Sequence, residues 1–346
     1  MELISPPRAP RTVSLALLLT VLLVVAGVSV GVTAAYFELR PAPSAQGPGT
    51  VTVVDDLGRT VTVPTDPDRV IVLSPNILDM MVSLGLRSHV VGVDCSTPGG
   101  LSADYSSDQV GAWNLTDSMC VTVSPSFDAE GLLKDSPGLV LASTIISLAD
   151  IEELSTTDRL PVAVLAPPDL GGIVLDVQLL AKVFGLPPTN GTLVDLTTSM
   201  QSELDRAAGV DANLSNEGAT LPSVFLTYYA DPSGGPLPGY FGFGPGTFGQ
   251  SLVELAGGSS ISANSTTAYP LLTGPQILFD NPSRIIYGTG FDLDLSTYEA
   301  GPDWSQFPAV QDGNASAIDS NLLTEADPTM ILVGLPALLG ILHPGT

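Results

Sequence analysis

The chain has 346 residues, 44% of them hydrophobic and only 14% charged, yet its formal net charge is −25 because 36 acidic residues stand against 11 basic ones. That balance repels phosphate backbones and anionic headgroups, and so argues against nucleic acid as a partner. The apolar content rules out a mainly disordered chain. The roughly 300 residues beyond an apolar N-terminal stretch are enough for two lobes with cores of their own.

Residues 13–37 carry no charged side chain. The run is longer than the apolar stretch of about 7–15 residues in a signal peptide and long enough to span a bilayer. With Arg8 and Arg11 ahead of it, the positive-inside rule predicts a cytoplasmic segment 1–12, a single-pass signal-anchor over 13–37 and all later residues outside the cell membrane. Cleavage near Thr33-Ala34-Ala35 is the alternative. Residues 38–50 are rich in Pro and Gly and read as a tether. Sequons at Asn114, Asn190, Asn213, Asn264 and Asn314 predict a glycosylated outer surface. In that oxidising compartment Cys95 and Cys120 are expected to form a disulfide between the loop after one core strand and the loop before the next helix, with two separate buried thiols as the alternative.

Residues 51–54 and 60–63 alternate apolar with polar around Asp56-Leu57-Gly58-Arg59, the pattern of a hairpin. Residues 70–73 are a continuous β-branched and aliphatic run, as in a parallel strand covered on both faces. Ser74 and Pro75 then start a helix that stops at Gly85, and 89–93 repeats the buried-strand pattern, which makes a βαβ unit. Alternation continues with a helix over 128–134, a strand over 139–142, a helix over 148–156, a strand over 162–165 and a helix over 169–185. Residues 192–210 have apolar positions at spacings of three and four and predict a long helix. Beyond it come a strand over 224–229, a helix over 247–256, a strand over 284–287 and an apolar helix over 328–342, too short to span a membrane.

Several segments carry a resemblance. Gly244-Pro245-Gly246-Thr247-Phe248, followed by Leu252 through Gly258, looks like a loop, helix and double-glycine turn. Ser136 through Ala142 and Asn281 through Ile286 look like matching strand starts in two lobes. Trp304, Phe307 through Val310 and Leu342-His343-Pro344 look like a characteristic C-terminal pattern. In this order, and after the βαβ start, they resemble the substrate-binding proteins of cobalamin and iron-siderophore ABC importers over nearly all of residues 51–346. The resemblance implies an α/β fold of two lobes (51–188 and 213–346) joined by one long rigid helix (189–212), with a ligand cleft between them. It also implies a permease and its ATPase as partners. Members of the family carry a docking glutamate on each lobe. Glu130 matches the first position, whereas Pro275 stands at the second, so that either another carboxylate such as Asp280 substitutes or the partner surface differs.

Ligands of open α/β proteins bind beyond the carboxyl ends of the strands. Loops expected there offer Asn76, Tyr105, Trp113, Tyr228, Tyr229, Tyr240, Phe241 and Phe243, a set that is aromatic and amidic rather than cationic. Trp113 resembles a tryptophan of cobalamin-binding members. Flat aromatic faces suit a corrinoid or haem, and core packing is the competing role for each ring. The absence of an obvious Arg or Lys favours a corrinoid, or a neutral or cationic chelate, over an anionic ferric siderophore. His89, at the start of a strand, and His343, near the end of the chain, are too few for a metal receptor and are expected to be structural, so no metal site and no cofactor is expected; the alternative is that His89 approaches a cobalt or iron centre from a loop folded into the cleft. No nucleophile elbow, zinc-protease, phosphate-loop or dinucleotide motif is present. Asp292 and Asp294 could serve a hydrolase as acid and base, or lie in an exposed loop. A surface ligand sensor without transport is the further alternative, and a monomer is expected.

Overall fold

The computed structural model describes residues 49–344 apart from 97–98, 125, 232–238 and 291–292. The expected anchor over 13–37, nearly all of the tether and Asp292 lie outside the described residues. Among the described residues no helix is long and apolar enough to cross a membrane.

The chain opens with the hairpin β1 (Thr50–Val54) and β2 (Thr60–Pro64), paired Thr50 to Pro64 through Val54 to Thr60. Two carboxylates in its turn tie it to the first sheet. Asp55 pairs with Arg59 at 2.6 Å and accepts the Val164 amide, and Asp56 accepts the Ala166 amide at 2.6 Å. The first sheet is parallel, in the order β5-β4-β3-β6-β7, built from β3 (Val70–Leu73), β4 (Val90–Ser96), β5 (Cys120–Ser124), β6 (Leu139–Ala142) and β7 (Val162–Val164). Strands β3 and β6 are buried at every position, as a sheet covered on both faces requires. Helices Pro75–Ser83, Leu148–Thr156 and Leu170–Val183 stand where their caps predict. Ser147 and Asp169 each accept an amide of the first turn, and Pro75 occupies the first turn after Ser74. Strand β5 is an element that apolar patterning missed, and it places both cysteines within adjacent strands rather than in loops. Cys95 of β4 is bridged to Cys120 of β5 with Cα atoms 5.5 Å apart. His89, expected to begin a strand, lies instead in a short turn, Arg87–His89.

A helix of 27 residues, Gly191–Glu217, separates the two sheets in the chain. It continues past Val210, the expected end. Its buried Leu193, Met200 and Ala207 recur every seven residues on one face, which packs on helix Leu170–Val183 of the first lobe and on helices Phe248–Leu255 and Leu335–Leu342 of the second.

The second sheet is mixed, in the order β11-β9-β8-β12-β13, with β8 (Ser223–Asp231), β9 (Gly239–Gly242), β11 (Leu271–Leu272), β12 (Arg284–Thr289) and β13 (Ala315–Asp319); β10 (Ser259–Ser260) pairs with the start of β8. Strands β8, β12 and β13 are parallel and β9 is antiparallel to β8. The expected helix over 328–342 is divided. A wider π-type turn, Met330–Gly334, precedes helix Leu335–Leu342, because Pro336 lacks the amide that a continuous α-helical ladder would use.

Candidate functional site

Parallel strands of both sheets end at the same cavity. It has a volume of about 1040 Å³ and is walled by residues 99–117 of the first lobe and by Gly290, Asp319 and Asn321 of the second. This lies at the upper end of the roughly 300–1,000 Å³ usual for drug-sized ligands. The second-lobe wall is reached directly from the carboxyl ends of β12 and β13. Gly290 follows β12 with φ 95°, a conformation open to glycine, and a Cβ there would stand 3.5 Å from the Asp319 carboxylate. Asp319 in turn accepts the Asn321 amide at 3.0 Å.

The first-lobe wall consists of two short helices, Leu101–Asp104 and Ser107–Ala112. Ser106 and Gln109 form a capping box at the start of the second, which fixes its entry angle. Tyr105 lies between them, 2% exposed, with its hydroxyl donating to the carboxylate of Asp94 at the end of β4. Trp113 packs edge-on against Tyr105 with centroids 6.2 Å apart. Behind both, the Arg87 guanidinium donates to the carbonyls of Trp113 at 2.5 Å, Val90 at 3.1 Å and Asn114 at 3.0 Å. One arginine thus fixes the whole cavity-lining segment to the turn before β4.

A seam of carboxyl groups joins the lobes beside the cavity. Asp79 and Asp94 come from the first lobe, Glu325 and Asp327 from the second, and Asp104 holds the Ser96 amide at 2.6 Å. Burial pushes Asp94 up to about 7, with the neighbouring Asp104 adding to the rise, and burial followed by Asp104 and Asp79 pushes Glu325 up to about 7. Asp327 is raised by burial and by Asp79. Direct hydrogen bonds cross the same seam. Asn76 donates to the Ala326 carbonyl at 3.3 Å, and Thr329 reaches Asp79 at 3.5 Å.

These positions redistribute the expected ligand residues. Tyr105 lines the cavity. Asn76 is buried as a tie between lobes, and Trp113, 8% exposed, supports Tyr105 from behind and is not part of the lining. Tyr240 is fully buried among Phe225, Trp304 and Phe307, and its hydroxyl donates to the Pro302 carbonyl at 3.0 Å. Alternation along β9 sends Phe241 to the opposite face, where Tyr228, Phe243 and Tyr269 cluster and Tyr229 is exposed. None of Tyr228, Tyr229, Tyr240, Phe241 and Phe243 lines the cavity. The residues that sequence reasoning missed are mostly small and polar, Ser102, Ser106, Ser107, Thr116, Asp117, Asp319 and Asn321, with the aliphatic Leu101, Val110 and Leu115 beside them. Their position after the strands was the available signal, and their residue types carried none.

His89 bonds the Pro67 carbonyl at 3.0 Å and His343 the Ala256 carbonyl at 2.9 Å, both away from the cavity lining. Glu130 is exposed in the first turn of helix Ala129–Lys134, and Pro275 opens the corresponding helix Gly274–Asp280, where Phe279 is 88% exposed. Asn114, Asn213 and Asn264 are exposed. Asn314 is partly buried, and the Asn190 side chain caps the long helix by accepting the Leu193 amide at 3.1 Å.

No protein-family model matches the chain. It is 26% identical over 326 residues to a cobalamin-binding protein of Halobacterium salinarum, across 89% of this chain and 80% of that one. It is 23% identical over 299 residues to an uncharacterised ABC transporter substrate-binding lipoprotein of Bacillus subtilis, across 86% of each. Among solved structures, the molybdate periplasmic binding protein MolA of Haemophilus influenzae superposes with a TM-score of 0.70 at 17% identity, covering 85% of this chain and 91% of the other. Similarity along most of the chain and a shared two-lobe fold bear out the resemblance read from residues 51–346: this chain is a relative of the substrate-binding proteins of ABC importers.

Proposed function

We propose that this protein is a membrane-anchored extracytoplasmic receptor that captures a cobalamin-like corrinoid or an iron chelate between its lobes and delivers it to an ABC importer. The cavity is the observation that carries this reading: it is open, at the upper end of the size of small-molecule sites, and shared by the carboxyl ends of two parallel strand sets. A relative named for cobalamin binding favours the corrinoid. In this reading residues 13–37 anchor the chain, 38–50 tether it, 51–188 and 213–346 are the lobes, and the long helix between them restrains opening to a small hinge motion. Glu130 contributes one docking charge for the permease, the ATPase supplies the energy, and the receptor acts as a monomer without performing chemistry. The sequons mark glycan sites on its outer face.

The test is a titration of the purified full chain with cobalamin, haem and a panel of ferric siderophores, followed by calorimetry and visible absorbance. Saturable one-to-one binding of one ligand, abolished by Ser107→Trp in the cavity wall, is the expected result. Binding that survives Ser107→Trp, or no binding to demonstrably folded protein, overturns the reading.

A further inference from the structure

We infer that the cavity selects a cargo that has no net negative charge and that donates hydrogen bonds to the protein. This rests on the receptor reading above and narrows its ligand class. Two charged side chains occur in the described lining, Asp117 and Asp319; both are carboxylates, and they come from opposite lobes. A ligand held between the lobes therefore meets negative charge on both sides.

Among the described residues, five cations are held by partners away from the lining. Arg87 points its guanidinium at three carbonyls behind the wall. Arg59 is paired with Asp55, Arg206 with Glu203, and Arg69 and Lys182 donate to the carbonyls of Asp135 and Thr52. None of the basic residues contributes to the described lining, so an anionic group would enter without a counter-charge. The polar remainder of the wall points the same way. The side-chain oxygen of Asn321 is buried without a partner among the described residues, as is the hydroxyl of the adjacent Ser320. An unsatisfied acceptor is costly and is relieved by a ligand amide, amine or hydroxyl. Behind the first-lobe wall Asp104 adds a further carboxyl group, held by the Ser96 amide and hydroxyl. A concave, low-dielectric site focuses the field of these carboxylates on its contents.

A unit charge beside a carboxylate is worth about 1 kcal/mol in water and about 4 kcal/mol near a protein surface at 4 Å, so a discrimination of roughly tenfold or more is expected. The experiment titrates the full chain with matched corrinoids: aquacobalamin as the cation, cyanocobalamin as the neutral form, and a cobalamin monocarboxylic acid as the anion. A cationic hydroxamate chelate of iron and an anionic catecholate chelate are titrated alongside. The expected order is cation and neutral form ahead of the anion by about tenfold or more, with the gap narrowed by Asp117→Asn plus Asp319→Asn and by added salt. If the monocarboxylic acid binds as well as cyanocobalamin, or the double variant leaves the gap unchanged, the inference fails while the receptor reading stands. If no corrinoid binds and the cationic hydroxamate does, the corrinoid assignment falls and the charge inference stands. Binding of the anionic catecholate in preference to all others overturns the inference.

Discussion

The two lobes use the same architecture with opposite chemistries. The first is an all-parallel sheet with an aliphatic core, cross-linked between neighbouring strands by Cys95 and Cys120. The second is a mixed sheet around an aromatic core in which Tyr240, Trp304, Phe307, Tyr298 and Tyr287 pack ring against ring at centroid distances of 5.1 to 6.0 Å. Aromatic richness in the second lobe therefore serves stability, and the cavity wall mixes polar side chains with the aliphatic Leu101, Val110 and Leu115. Composition alone points the other way, because the rings look free until their packing is known.

Several measurements can break or sharpen that contrast. Trp304→Ala should destabilise the protein by about 3–5 kcal/mol, the usual cost of emptying a large aromatic position, and denaturant midpoints read it directly. A loss near zero would return these rings to the ligand. Replacing both cysteines with serine removes a cross-link whose cysteines are 25 residues apart in sequence. In the chain-entropy account this costs about 3–4 kcal/mol. Protection of amides in β4 and β5 should fall more than in β8 and β12, and a uniform loss would deny the lobes their separate supports. Tyr105→Phe leaves the buried Asp94 carboxyl without its hydroxyl donor, at a cost of about 1–3 kcal/mol.

The smallest effect is a pH dependence. Asp176, on helix Leu170–Val183, is buried against Asp56 of the hairpin turn, and burial followed by that neighbouring charge pushes it up to about 9. A carboxyl raised in the folded state contributes stability that is fully present below its unfolded value, near 3.8, and is lost as pH rises through the folded value. Stability should accordingly decline between about pH 4 and pH 9. Asp176 contributes to the portion above pH 7, together with the raised Asp327 and the upper half of the Asp94 and Glu325 titrations. Asp176→Asn should reduce that slope, as followed by thermal midpoints across pH; an unchanged slope would reject a raised Asp176 carboxyl.

What was legible in the sequence follows from what each segment buries. Strands such as Val70–Leu73 and Leu139–Ala142 are apolar at every position, and capped helices such as Leu170–Val183 announce their own starts, so local chemistry was sufficient. The cavity walls are the opposite case. Leu101–Asp104, Ser107–Ala112 and Asn321–Thr324 are short and of mixed polarity, and their conformations are set by partners distant in sequence, such as Arg87 on Trp113 and Asp94 on Tyr105. Helix propensity in so few residues is too weak to detect. The location of the site beyond the strand ends was readable; the identity of its walls required the tertiary structure.

The most direct test of the account is amide hydrogen exchange of the full chain with and without a saturating corrinoid. Protection is predicted over residues 99–117 and around Gly290 and Asp319 to Asn321, with the aromatic cluster of Tyr228, Phe241 and Tyr269 unchanged. Protection confined to that aromatic cluster, with the cavity walls unaffected, would contradict it.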